Sequence, residues 1–297
     1  MSTILTQTSR SAVTANQLLG QLQTQQTKKL EDQTKSVQAS YQTKINSVTR
    51  EQDQWRSVKA DVGEASSELS STVGRLKSMR SRLDAEVLNI NKLNTRISEG
   101  DTVNIDLYAY GFDATVKALD GIAKSGSPRL TGDDNAKLSY KIDPYGQQSE
   151  VQGVALTSDY YIIDSNGDRW QLDRQGGNLK RYTDYPNGAT SDVGGLKGGL
   201  QLDTLSGDQI TFTINPNTAD PKQFSGTIKS SGSGLKDSWF YGNLASADNR
   251  TSALTDLKSA RTAVELEIAR YDVARTMAVF YETRANEEIS GRRDTIT

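Results

Sequence analysis

Two residue types are absent altogether: the 297-residue chain has no cysteine and no histidine. Without cysteine there is no disulfide framework and no thiolate metal site, and redox chemistry says nothing about the compartment. Without histidine the commonest general base and the commonest zinc ligand are gone, and a Ser-His-Asp triad is excluded. Carboxylate-only chemistry is not excluded. Long apolar runs are missing too; none approaches the roughly 18 residues of a membrane span. A basic excess, which nucleic acid demands, is missing at a net charge of -2. The hydrophobic share of 34% is low for a compact globule of this length and points to a chain with much exposed surface.

Proline and glycine are scarce at both ends and concentrated in the middle. The prolines are Pro128, Pro144, Pro186, Pro216 and Pro221. All glycines except Gly20, Gly63, Gly74 and Gly291 fall between Gly100 and Gly242. Flanks free of helix breakers suit long helices. The chain therefore divides into four segments: a polar assembly or export segment at 1–28, a coiled-coil arm at 29–100, a β-rich insert at 101–245 and a second arm at 246–297. The expected fold class is α+β, a long antiparallel coiled coil of the terminal helices with an inserted β-rich domain.

The N-terminal arm carries a seven-residue apolar repeat: Tyr41, Val48, Trp55, Val62, Leu69, Leu76, Leu83, Ile90 and Ile97. Such a repeat keeps one seam of a helix against a partner and implies a left-handed supercoil. Tyr41 to Ile97 would span roughly 85 Å at 1.5 Å per residue. The companion seam is irregular, with Ile45, Val73 and Val87 at one offset and Val58, Ala65, Met79 and Leu93 at the other. Several neighbours, rather than one zipper partner, fit that pattern. The C-terminal arm opens at the capping cluster Ser246–Asn249 and carries Leu254, Leu257, Val264, Ile268 and Tyr271 at 3–4 spacing. Neither stripe can be buried alone, so the arms pair, with Leu69, Leu76 and Leu83 expected against residues 254–271. The N-terminal arm then has an excess that needs another partner. Residues 1–28 have Ile4, Leu5, Val13, Leu18, Leu19 and Leu22 among Ser, Thr and Gln, too few apolar groups to order in isolation. Leu18, Leu19 and Leu22, with Phe280, Tyr281 and Ile289 at the other end, are the candidate terminal assembly contacts.

In the middle, Val103, Ile105, Leu107 and Ala109 alternate with polar residues, as do Leu138, Tyr140 and Ile142. This predicts strands. Phe112 to Lys124 reads as a short helix with Val116 and Leu119 inward. Tyr160–Ile163 and Trp170–Leu172 flank the Asn166-Gly167 turn of a hairpin, and Ile210–Ile214 pairs with Phe224–Ile228 across Asn215-Pro216-Asn217. Ser230–Gly234 reads as a flexible linker between strands.

Each candidate chemical site has a plainer reading. Asp164, Asn166 and Asp168 resemble the start of a calcium loop, but Arg169 and Gly176 stand where that loop needs glycine and an acid. Asp133, Asp134, Asp143, Asp203 and Asp208 could supply an acid/base pair, yet they are also ordinary turn residues. Tyr160, Tyr161, Trp170, Tyr182 and Tyr185 could line a glycan or protein surface, or fill a sheet core. Arg284, Arg292 and Arg293 are interleaved with Glu282, Glu287 and Glu288, as on a solvated helix face. No catalytic or metal residue and no cofactor is assigned, and the chain is expected not to be an enzyme.

The Ser/Thr/Gln-rich start, the Tyr41–Ile97 heptads, the Gly207-Asp208 start of a strand and the Leu254–Ile289 helix together resemble the bacterial flagellar axial proteins, the flagellins and hook-associated junction proteins. The resemblance is one of architecture. It implies terminal helices that pair and stack into a tube, with the β-rich insert facing outward. It further implies a homo-polymer of copies of this chain, with an export chaperone and other axial proteins as further partners. Export would proceed without a cleaved signal, to an extracellular appendage, with neither nucleic acid nor a membrane span involved. Two other readings share the helix–insert–helix plan: a needle-tip protein of a type III injection system, and a coiled-coil fibre or scaffold, including a viral one, with a β knob. A glycan-binding or calcium-dependent β domain displayed on a stalk is a further alternative.

Overall fold

A computed structural model describes the backbone of residues 2–133 and 136–296 and the side chains of 14–133 and 136–295. The chain is α+β, with helices α1 (Ser2–Ser98), α2 (Ile105–Lys124) and α3 (Ala247–Ile296) and nine strands between α2 and α3. It forms two compact units. One comprises Met1–Lys59, Asp143–Tyr145 and Thr283–Thr297; the other comprises Ala60–Ile142 and Gly146–Glu282.

In the larger unit α1 and α3 run antiparallel. Arg261 donates to Asp84 at 2.5 Å and Arg250 to Asn94 at 2.5 Å, so later residues of one helix meet earlier residues of the other. Val62, Leu69, Leu76, Leu83 and Ile90 are fully buried, as are Ala253, Leu257, Ala260, Val264 and Tyr271. The small Ala253 and Ala260 let the helix axes approach. Gly100, at φ +82°, ends α1 by taking the left-handed conformation that other residues resist.

The segment expected as a first strand is instead the start of α2. The alternation at Val103, Ile105, Leu107 and Ala109 yields to a longer 3–4 pattern, in which Ala109, Phe112, Val116, Leu119 and Ala123 form one buried face. Burying that face on a helix outweighs a four-residue alternation. At the other side of α1, the helix continues without a break from Ser2 through residue 28, where order was not expected before assembly. Ile4, Leu5 and Val13 lie outside the described side chains.

The strands make two sheets. β1 (Lys137–Lys141) and β2 (Gln148–Gln152) form a hairpin. The larger sheet comprises β3 (Tyr160–Asp164), β4 (Arg169–Asp173), β5 (Asn178–Tyr182), β6 (Thr190–Gly195), β7 (Leu200–Ser206), β8 (Gln209–Ile214) and β9 (Lys222–Ser230). Its order is β6-β5-β4-β3-β9-β8-β7, antiparallel throughout. Both expected hairpins are present, as β3–β4 and β8–β9. The sheet curls, because a Cβ on Gly194 of β6 would lie 2.5 Å from Leu200 of β7 and 3.1 Å from Ile214 of β8. Its core is aromatic, with Trp170 edge-on to Phe212 and Phe224 at 5.1 and 4.7 Å.

The Ser230–Gly234 stretch links β9 to a 3-10 helix (Ser238–Leu244), not one strand to another. Nor is it a free linker. The Ser231 and Ser233 amides donate to the carbonyls of Asp159 and Thr157. Gly232, at φ +82°, sits where a Cβ would be 1.9 Å from the Thr157 oxygen, so glycine is needed on both counts.

Candidate assembly interface

The seven-residue repeat of α1 passes through three environments. From Val62 to Ile90 its members are buried, and Ile97 is half-buried near the helix end. Leu69, Leu76 and Leu83 are each at most 1% exposed. On α3, Leu254 is half-buried, Ile268 is buried, and Leu257, Val264 and Tyr271 are fully buried.

In the smaller unit the pairing reaches its end. Trp55 is buried, with the guanidinium groups of Arg284 and Arg292 at 5.6 and 5.7 Å from its ring. Gln52 donates to the Ile289 carbonyl at 3.2 Å, and Arg292 donates to Glu51 at 3.2 Å. Arg292 therefore has a structural place on the seam rather than on an anion site. Ile289 is half-buried there, while in the larger unit Tyr281 is half-buried and Phe280 is exposed. Val48 is half-buried, at the last turn that α3 reaches.

Upstream the repeat is open. Every described side chain from 14 to 46 is exposed. Leu18, Leu19, Leu22, Leu30, Val37, Tyr41 and Ile45 are all among them, and Tyr41 is 64% exposed. Their spacing keeps Leu30, Val37, Tyr41 and Ile45 on the face that carries Val48 and Trp55 further on. The hydroxyl of Thr34, on the same face, donates to the Leu30 carbonyl one turn earlier. The stripe thus presents mostly carbon to solvent, and its Thr34 hydroxyl is already satisfied within the helix.

Elsewhere the candidate groups are used internally. Asp164 accepts the amides of Asn166 and Asp168, the Trp170 indole and Arg181. Arg181 also pairs with Asp168 and Asp192 at 2.8 and 3.3 Å. A guanidinium supplies the positive charge that a calcium ion would bring to this turn. Asp133 accepts from Thr131, Asp143 from the Tyr145 amide, Asp203 from Thr213 and Gln223, and Asp208 lies 3.8 Å from Lys229. Each is engaged locally; Asp134 lies outside the described residues. Among the described residues no cluster of three or more acidic side chains is placed to hold a metal.

The aromatic set divides by face. Tyr160 and Trp170 are in the core, while Tyr161 and Tyr185 sandwich Arg169 at 3.8 and 4.1 Å and Tyr182 packs edge-on to Tyr185.

A charged cluster between α2, the large sheet and the 3-10 helix was not visible in the sequence. Arg174 donates to Asp237 and to the Ser158 carbonyl, and lies 3.7 Å from Asp120. Tyr160 donates to Asp237 and accepts from the Trp239 indole. Asp113 accepts both the amide and the hydroxyl of Ser238, at 2.6 and 2.8 Å. Burial, with the neighbouring Asp237 charge, raises the Asp113 carboxyl to about 7 against the opposing pull of those hydrogen bonds. A cleft of about 530 Å³ borders Asp113, Arg174, Lys117 and Tyr110. Its acids are committed to holding the insert together. The one clue in the sequence was Asp120, a charge on the apolar face of α2.

No helix among the described residues is long and apolar enough to cross a membrane. No family model and no curated protein matches the chain. Among solved structures it is similar to a crystal structure of Xanthomonas campestris FlgL, at 10% identity, with 86% of this chain and 97% of that one covered and a TM-score of 0.33. A likeness of that score bears no weight for function.

Proposed function

We propose that the chain is a non-catalytic structural subunit that polymerises through its terminal helices into an extracellular filament, or its junction or sheath, in the manner of flagellar axial proteins. The observation that carries this reading is the open stripe of α1. Between residues 18 and 45 the helix carries Leu18, Leu19, Leu22, Leu30, Val37, Tyr41 and Ile45, and all of them are exposed. An isolated helix gains little stability from its own hydrogen bonds, so such a stripe is stabilised by a neighbour. Copies of the chain are the partner that is always present. In this reading the β-rich insert (101–245) projects from the polymer, residues 1–28 serve assembly and export, and a chaperone shields the stripe before export.

The test is the association state of the purified full-length chain across concentration, by sedimentation velocity and negative-stain microscopy. Helical polymers or rings are expected. A fixed trimer would favour a fibre with a β knob, and a monomer at every concentration would sink the proposal.

A further inference from the structure

α3 has a second seam. Its buried face carries Leu257, Val264, Tyr271 and Ala278. About half a turn away, Ser259, Thr262, Leu266 and Ala269 continue into Val273, Thr276 and Phe280, spaced alternately three and four apart, and every one is exposed. Leu266, Val273 and Phe280 are 69%, 66% and 58% exposed, and Met277 flanks them. An outward helix face normally carries charge; this one carries none for about six turns. The hydroxyls of Ser259, Thr262 and Thr276 donate to the carbonyls of Thr255, Lys258 and Asp272 on the same helix. Their polar groups are therefore satisfied before any contact forms, and covering them leaves no buried donor unpaired.

The open stripe of α1 has the same construction. It runs for about seven turns from Leu19 to Ile45, is uncharged at Leu30, Thr34, Val37 and Tyr41, and turns its threonine hydroxyl inward. Two exposed seams of like length, each of apolar residues interspersed with threonine, lie on one chain. Within the smaller unit the open stripe lies upstream of Gln52, the residue that donates to the Ile289 carbonyl of α3. From this match we infer that the outward seam of α3 receives the open α1 stripe of a second copy. The inference rests on the self-assembly reading and names the surface through which it works. The contact is head-to-tail: each copy offers one stripe and accepts another, so it propagates into a ring or filament instead of closing as a pair.

The absence of native cysteine makes a direct test clean. Full-length Val37→Cys protein is mixed in turn with Leu266→Cys, Val273→Cys and Phe280→Cys proteins under assembling conditions and oxidised. A mixed dimer that exceeds either homodimer is expected for at least one pairing. In parallel, Val273→Lys should leave the melting temperature unchanged while raising the critical concentration for assembly at least tenfold. If the parent assembles but no mixed dimer forms and Val273→Lys assembles at the parental concentration, the α3 seam is not the receptor, and self-assembly stands by another surface. If the parent never associates, both proposals fall together.

Discussion

The two halves of α1 both carry apolar stripes and meet opposite fates. From Val62 to Ile90 the repeat is fully buried against α3 and the insert; from Leu18 to Ile45 it is open to solvent. Both halves are free of proline and poor in glycine, but the open half is sparser, with no apolar side chain between Leu22 and Leu30. What separates them is whether a second helix runs alongside. Burial stabilises by roughly 25 cal/mol for each Å² of apolar surface removed from water. The first half has collected that energy in the monomer, and the second half has it still to gain. On the proposed reading, the difference marks where folding stops and assembly takes over.

The strongest way to break this comparison is to place the same charge in each half. Leu76→Asp puts an unpaired carboxylate in the closed seam and should cost about 3–5 kcal/mol in chemical denaturation. Parental stability would mean that the seam is not packed. Trp55→Ala, at the last turns where the helices meet, should cost about 3 kcal/mol. Its effect should concentrate on the smaller unit, read as faster amide exchange around Gln52 and Ile289 than around Leu76.

A pH series separates the insert from both halves of the helix. The Asp113 carboxyl sits near 7 in the folded protein, above its unfolded value near 4. The folded state thus holds a proton that the unfolded state has released. Stability should fall by a few kcal/mol as pH rises from about 4 to about 7, at a slope of at most roughly 1.4 kcal/mol per pH unit. Asp113→Asn should flatten that slope. Burial raises Glu86 and Glu267 as well, so a smaller dependence of the same sign should remain. The smallest effect is expected in the open half: Val37→Asp should change stability by less than about 0.5 kcal/mol. A large loss there would mean that the stripe is already buried in the monomer.

How much of this was legible follows from the range of the interactions involved. The helical arms could be read because a heptad is a local pattern with a global consequence, and the hairpins because Asn166-Gly167 and Asn215-Pro216-Asn217 constrain the backbone at the turn itself. The start of α2 was misread, because Val103 to Ala109 satisfies a strand pattern over a short window and the deciding residues, Phe112 to Ala123, lie beyond it. The Asp113–Arg174–Asp237 cluster was invisible, since it joins α2, the turn after β4 and the residue before the 3-10 helix across long sequence separations. That the N-terminal arm outruns its partner was legible from the unequal lengths of the two arms, but the turn at which cover ends was not. Tyr41 and Leu76 occupy equivalent positions in the repeat, and only the extent of α3 distinguishes them.

The division between folding and assembly meets its most direct test in removal of the open stripe. A chain that begins at residue 47 is compared with the full-length chain by sedimentation velocity and thermal melting. The truncated chain should melt cooperatively within a few degrees of the parent and remain monomeric at concentrations where the parent polymerises. A truncated chain that still polymerises like the parent, or that no longer folds, would contradict it.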